Sequence, residues 1–265
     1  MRTYIHVLIL LVFLSLSSFA NSYNRIQINV GAGVRPPFLL EDNTQGVGPD
    51  ILHALNLIQE QFIFQLVPVP IKRRTQSLYE GWVDIMMWDN PKWGWELESL
   101  QHSQPLIHAK DVFIARTDKY QSQGVFDELS SHSLAMVHGY HYKFVNFETD
   151  PIKLNQSFSI TLVRTEEDSI NLLLSKRVDV AVASDVALAW HFKKHPQSQS
   201  KIMISEKYDT EFMRYFLVPS SSPISAKELD ELLILADNKG LLAPIYEKYG
   251  LDMPSFKPHS SMLSH

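Results

Sequence analysis

The chain has 265 residues, of which 45% are apolar and 20% charged, and its formal net charge is −5. This is the composition of a folded globular chain long enough to bury a sizeable core, and it excludes a disordered or fibrous protein. The acidic balance speaks against a nucleic-acid partner, and the lack of cysteine excludes disulfide scaffolds, thiolate metal sites and cysteine nucleophiles.

In chain order, the first element is a targeting segment. Arg2 supplies a positive start, Ile5 to Leu14 is apolar except for His6, and Ser18-Phe19-Ala20 sets small residues at −3 and −1 of a cut before Asn21. That is a secretory signal peptide over 1–20, too short in its apolar run to span a bilayer. Ile26 to Val30 alternates as a strand, and Asp50 is placed as the N-cap of a helix whose Ile51, Ala54, Leu55 and Ile58 share a face. Phe62 to Val69 reads as a strand, followed by a short helix to Glu80 with Gly81 as its C-terminal stop. Strands are then predicted at Val83 to Met87, Val112 to Arg116 and Leu134 to Val137. Thr165 and Asp168 make a capping box for a helix to about Ser175, before a strand at Val178 to Ala183 and a helix from Val186 to His195. Ile202 to Ile204 and Tyr215 to Val218 read as two short strands, and a second capping box, Ser225 with Glu228, opens a helix ending at Gly240. A last helix ends at Gly250. Strands alternating with helices specify an α/β fold with mostly parallel sheet.

One scheme occurs twice. Leu78 to Asp89 and Leu173 to Asp185 both read helix end, turn, Val-Asp, apolar strand, polar end, with Asp84 and Asp179 in matching places as structural residues at the start of each strand. Two such units imply two lobes. Ligands of open α/β sheets lie beyond the carboxyl ends of the strands, which puts Trp88 and Asp89 on one rim and Ser184 and Asp185 on the other.

Arg35-Pro-Pro-Phe38, Gly48-Pro-Asp50, Leu78-x-x-Gly81-x-x-Asp84, Ser103-Gln-Pro105, Met136 to Gly139, Val178-Asp179 with Asp185, and Asp237 to Gly240 with Tyr249-Gly250 follow in an informative order. Together they resemble the bacterial extracellular solute-binding proteins of family 3. The resemblance implies a two-lobe, type II periplasmic-binding-protein fold. Each lobe is a mostly parallel sheet flanked by helices, and two crossing strands near Asp111 to Arg116 and Tyr215 to Val218 join them. It implies lobes of 21–110 with 216–265 and of 111–215.

The resemblance has departures. Amino-acid-binding members carry Thr-x-x-Arg after the first Asp strand, and its arginine grips the ligand carboxylate; here Asn90 to Glu96 has no arginine. Arg35, Arg73 and Arg74 are the substitute candidates, because a guanidinium binds carboxylate through two parallel bonds. The other expected ligand contacts are Phe38, Trp88, Asp89, Tyr140, His141, Tyr142 and Asp185, the last for an ammonium group. His191 and His195 stand at i, i+4, but no acidic residue completes a metalloprotease motif between them, so they read as solvated histidines and no metal is expected.

The function expected is a periplasmic, monomeric receptor that captures a small polar solute, an amino acid or related compound, without a cofactor. Its closed form would meet an ABC permease or a membrane sensor. The alternatives are a stand-alone sensory protein, or a dehydratase-like enzyme on the same fold with Asp89 or Glu96 as acid or base. N-terminal sequencing of the exported protein should start at or within a residue or two of Asn21; full-length chain retained in the membrane would contradict the leader.

Overall fold

A computed structural model describes residues 24–95 and 99–258. The expected leader, its cut before Asn21, and Glu96 lie outside the described residues. Two parallel trios of strands form the two lobes. The first is β1 (Ile26–Ala32), flanked by β2 (Phe62–Pro68) and β3 (Ile85–Asp89). A short β4 (Gln101–His102) pairs with the end of β9 (Ile202–Val218), which runs antiparallel to β5 (Ile107–Arg116). The second trio is β6 (Ser133–Val137), flanked by β7 (Ser159–Val163) and β8 (Val180–Ser184). The full order is β2-β1-β3-β9-β5-β8-β6-β7.

The passage between lobes differs from expectation. Asp111 to Ala115 of β5 already pairs with β8, and Tyr215 to Leu217 of β9 already pairs with β3. Between them, Ile107 to Lys110 pairs with Glu211 to Arg214 as a bare two-stranded bridge. The stretches expected to cross, 111–116 and 215–218, therefore lie inside the two sheets. The two short strands read at Ile202 to Ile204 and Tyr215 to Val218 are the ends of one 17-residue strand.

The helices are α1 (Val47–Ile58), α2 (Arg74–Tyr79), α3 (Pro151–Ser157), α4 (Glu166–Leu174), α5 (Asp185–Lys194), α6 (Ala226–Asn238) and α7 (Leu242–Tyr249). α1 packs against β2, α6 and α7, and α4 against β8 and β6. The first lobe buries two clusters, the larger including Ile28, Val30, Phe38, Leu55, Phe216, Leu233 and Tyr246, the smaller Val69, Leu78, Val83, Met86 and Leu217. In the second lobe the sheet residues alternate. Ile114, Ala135, Ala181 and Ala183 face one cluster, while Ala115, Leu134, Met136, Val180 and Val182 face the other. A sheet buried on both faces produces such continuous apolar runs.

Both capping boxes form, with Thr165 and Asp168 bonded reciprocally and Ser225 and Glu228 likewise. Asp50, expected to cap α1, does not: the helix starts at Val47 after Gly46, whose φ of 133° suits glycine. Asp50 instead accepts bonds from Lys248 Nζ at 2.7 Å and Tyr249 OH at 3.0 Å, tying α1 to α7.

The repeated Val-Asp scheme has one structural meaning. Asp84 N–H donates to Asn29 O at 2.8 Å, and its carboxylate accepts from Asn29 N–H at 2.7 Å. Asp179 N–H donates to Ser133 O at 2.9 Å, and its carboxylate accepts from Ser133 N–H at 3.2 Å and Ser133 OH at 2.9 Å. Each aspartate locks the start of its strand to a parallel neighbour, Asp84 to the middle of β1 and Asp179 to the start of β6. Partial burial pushes the Asp179 carboxyl up, but its bonds to Lys119 and Ser133 outweigh this and hold it well below the usual carboxylate range. A depressed folded pKa stabilises the fold above the ordinary carboxylate range, and that stability is lost as pH falls through the folded value. Asp179→Asn should therefore cost about 1–2 kcal/mol near neutrality, because Lys119 is half exposed and screened. In urea unfolding, the gap from the unsubstituted protein should close as pH is lowered.

Candidate functional site

The strand ends of both lobes converge on an interlobe cleft. Its walls include Arg35 after β1, Arg74 at the start of α2, Asp89 at the end of β3, Trp93, Asp111 on β5, Tyr140 and His141 after β6, and Thr210, Phe212 and Arg214 on β9. The enclosed room is about 40 Å³, enough for about three waters. Two wider grooves of about 960 Å³ flank it and share lining residues with it: Trp93, His141 and Phe212 on one side, Ile71, Arg74 and Gly139 on the other.

The positions follow from local structure. Thr210, Phe212 and Arg214 share a side of β9 because strand side chains alternate. Asp111 sits where the β5–β9 register shifts, and such bulges re-aim side chains. A second shift lies between Met87 and Asp89, where Trp88 takes φ 65°, a costly conformation for a bulky residue. The reversed backbone turns Trp88 O towards two guanidinium groups: it accepts from Arg214 Nη1 at 3.1 Å and from Arg35 Nη1 at 3.4 Å.

Aromatic faces surround these cations. The Arg214 guanidinium lies 4.7 Å from the Trp93 ring centre and 4.8 Å from that of Phe212. Arg35 lies 4.9 Å from the Tyr140 ring centre, a contact that reaches from the first lobe to the second. Arg74 donates to Trp93 O at 2.6 Å and pairs with Asp89 at 3.2 Å. The Nε atoms of Arg35 and Arg214 are buried and have no hydrogen-bond partner. Burial, together with the charge of Arg35, brings Arg214 down to about 10. Burial works against the charge of Arg35 too, but Tyr140, Asp89 and Glu166 outweigh it and raise its pKa.

Asp111 has the opposite character. It is 6% exposed and lines the cleft, and its carboxylate takes no hydrogen bond or ion pair from the described residues. Burial pushes it well above the usual carboxylate range, helped by Glu166, while Arg214 pulls the other way. The buried Asp209 nearby is satisfied by the backbone N–H groups of Lys143 and Phe144, at 2.7 Å each.

Of the residues expected from the sequence, Arg35, Arg74, Asp89, Tyr140 and His141 meet in the cleft. Arg73 is exposed on the turn before α2 and lines no part of it. The Trp88 ring points the other way, stacked on Phe38 at 4.4 Å in the first-lobe core, so only its carbonyl serves the site. Phe38 is buried in the same core, and Tyr142 fills the core of the second lobe with its OH accepting from Val137 N–H. Asp185 is exposed and holds the N–H groups of Lys110 and Val186 at 3.0 and 2.8 Å. Ser184 is the N-cap of α5. Asp111, Thr210, Phe212 and Arg214 were not anticipated; the Thr-x-Phe-x-Arg alternation is the signal that marks the last three.

No protein-family model and no curated protein matches the sequence. Solved structures do. The GluR0 ligand-binding core from Nostoc punctiforme, in complex with L-glutamate, superposes with a TM-score of 0.65 at 18% identity, covering 84% of this chain and 98% of that one. An ABC uptake transporter substrate-binding protein from Streptococcus pneumoniae with bound histidine gives 0.67 at 12%, covering 84% and 92%. An ancestral amino-acid-binding protein, a precursor of cyclohexadienyl dehydratase, gives 0.61 at 18%, covering 84% and 95%. The chain has the type II periplasmic-binding-protein fold. In this fold the parallel trios, the β5–β9 bridge and the cleft between lobes are the parts just described.

The Trp88 ring fixes the strained peptide and with it the arginine pair. A Cβ on Gly48, inside α1, would come 2.9 Å from Trp88 Nε1 and 3.1 Å from Phe38 O. Alanine normally stabilises a helix interior relative to glycine, but Gly48→Ala should destabilise this protein, by about 1–3 kcal/mol. Thermal unfolding with tryptophan emission checks the sign and the disturbance of Trp88.

Proposed function

We propose that the chain is a periplasmic solute-binding protein whose two lobes, joined by the β5–β9 bridge, close on a small zwitterionic solute of the amino-acid class. The observation that carries this is the pairing of unlike needs in one cleft. Arg35 and Arg214 hold buried N–H groups without acceptors, and Asp111 holds a buried carboxylate without a donor. A ligand carboxylate answers the first and a ligand ammonium the second. Unpaired buried charges are costly, so a solute bearing both groups gains what a neutral one of the same shape does not. The structural neighbours bind glutamate and histidine, which supports the same solute class.

A solute larger than a few waters requires the lobes to part, and the bare β5–β9 bridge is the place to bend. Closure then follows ligand contacts from both lobes. The closed form is the surface an ABC permease or a membrane sensor would read, with the protein acting as a monomer. No described helix is long and apolar enough to cross a membrane. The binding reading is preferred to a dehydratase reading because Asp89 is already occupied inside the first lobe: its Oδ1 accepts from Asn90 N–H and Trp95 Nε1, and its Oδ2 forms an ion pair with Arg74.

Titration calorimetry of the mature protein against a panel of α-amino acids, amines and carboxylic acids tests the reading. An α-amino acid should bind, with matching amines and acids each far weaker. Arg35→Ala should cost on the order of a hundredfold in Kd. Asp111→Asn should cost at least tenfold for an ammonium-bearing ligand. The raised Asp111 carboxyl must ionise to hold an ammonium, so binding should release a proton where the free carboxyl is protonated, and affinity should rise with pH. Tight amino-acid binding indifferent to Arg35 and Asp111, or turnover of the solute, would defeat the proposal.

A further inference from the structure

Away from the arginines, three residues of the second lobe come together that no part of the cleft's chemistry uses. His191 and His195 lie one turn apart at the C-terminal end of α5, and Glu167 faces them from the first turn of α4. One ligand-type atom from each residue lies within 4.8 Å of the others. The solvated histidines expected from the sequence are half wrong, because His191 is 2% exposed. Its Nδ1 stands 3.0 Å from Glu167 Oε1, and its Nε2 is buried without a partner. The polar satisfaction of a buried ring therefore rests on Glu167 alone, and buried polar groups are seldom left so poorly served. The His195 ring centre is 5.0 Å from that of His191, with the planes at 47°.

We propose that Glu167, His191 and His195 form a binding site for a divalent transition-metal ion of the zinc type. Two imidazoles at i, i+4 on one helix and a carboxylate from a facing element are the donor set and spacing that such ions accept, with a fourth position left for water or a solute group. The hard cations calcium and magnesium prefer all-oxygen shells and are excluded by the two imidazoles. Lys194, whose charge also reaches Glu167, has its ammonium over the Trp190 ring at 5.9 Å. The metal would be held by the Glu167 carboxylate and one ring nitrogen from each histidine, and would staple α4 to α5.

The site also touches the lobe interface. Glu167 lines a small hollow together with Arg35, Tyr140 and Trp190. α5 reaches the first lobe through Trp190, whose ring is 5.6 Å from that of Tyr249, and through Lys193, which donates to the carbonyls of Glu247 and Lys248. An ion fixing α5 to α4 would stiffen the element that meets α7. This proposal does not depend on the identity of the solute.

The test uses the mature protein purified without a histidine tag and stripped with chelator. Zinc is titrated by calorimetry, and cobalt by its visible absorption, with calcium and magnesium as controls. One zinc per chain should bind, cobalt should give the intense bands of a four-coordinate site, and the melting temperature should rise by roughly 5 °C at a hundredfold excess over Kd. His195→Ala and Glu167→Gln should each weaken zinc at least tenfold and abolish the melting shift. His53→Ala, an exposed histidine on α1, should change neither. Circular dichroism establishes that the His195 variant, altered at a partly exposed helix end, is folded. Zinc binding equal in all variants, or none at submillimolar zinc, would leave a His–Glu ion pair only and overturn the proposal.

Discussion

The antiparallel ladder between β5 and β9 is the constraint on which both lobes depend. Each strand is an edge of the bridge and an interior strand of a sheet, so neither lobe is complete without it. The same ladder supplies Asp111, Thr210, Phe212 and Arg214 to the cleft. Because the bridge is only two strands wide from Ile107 to Lys110, bending there disturbs little packing. The register shift at Asp111 is the point where β5 leaves the bridge and joins β8, and it is also where the cleft acquires its unpaired acid.

Two guanidinium groups donating to one peptide carbonyl would repel each other in a dry cleft. Three features offset this. The αL conformation at Trp88 aims the carbonyl between them, the rings of Trp93 and Phe212 face Arg214, and the Tyr140 ring faces Arg35. Each desolvated cation–π contact is worth about 2 kcal/mol or more, and the backbone strain costs about 1–3 kcal/mol. The balance leaves the arginines held but not neutralised. The lowered pKa of Arg214 expresses the same tension. An anion between them would relieve it, in keeping with the binding role proposed above.

Much of the scaffold was legible in the sequence because its signals are local. Capping boxes bond within four residues, and Asp84 and Asp179 announce themselves by repetition. The site was legible only in part. Arg35, Arg74, Asp89, Tyr140 and His141 follow strand ends and turns, where ligands are expected. The residues of β9 were hidden because Glu206, Lys207, Asp209, Glu211 and Arg214 give its middle the look of a polar loop. Only the pairing with β5, more than ninety residues away in the chain, makes that stretch a strand. Trp88 and Tyr142 show the converse limit. An aromatic after a strand marks the rim, but a one-residue bulge at Trp88 and the loop after β6 at Tyr142 turn their rings into the cores. Arg73 and Arg74 differ in the same way, since only the turn before α2 separates the exposed guanidinium from the one that lines the cleft.

Closure of the cleft draws on contacts that need no solute. Arg35 on Tyr140, Trp190 near Tyr249, and Lys193 on the end of α7 all join one lobe to the other. Such contacts set the intrinsic balance between open and closed forms, and a solute shifts that balance only by its differential affinity for the two. Here the differential part is electrostatic. On the proposed binding role, an open form leaves the spare N–H groups of Arg35 and Arg214 and the carboxylate of Asp111 to bulk water, whereas the cleft as it stands has room for only about three waters beside them. Aromatic and α5–α7 contacts thus favour closure in general, whereas on the proposed binding role the unpaired charges would penalise closure on anything but a complementary zwitterion. Selectivity would then come from the cost of closing wrongly more than from the gain of closing correctly.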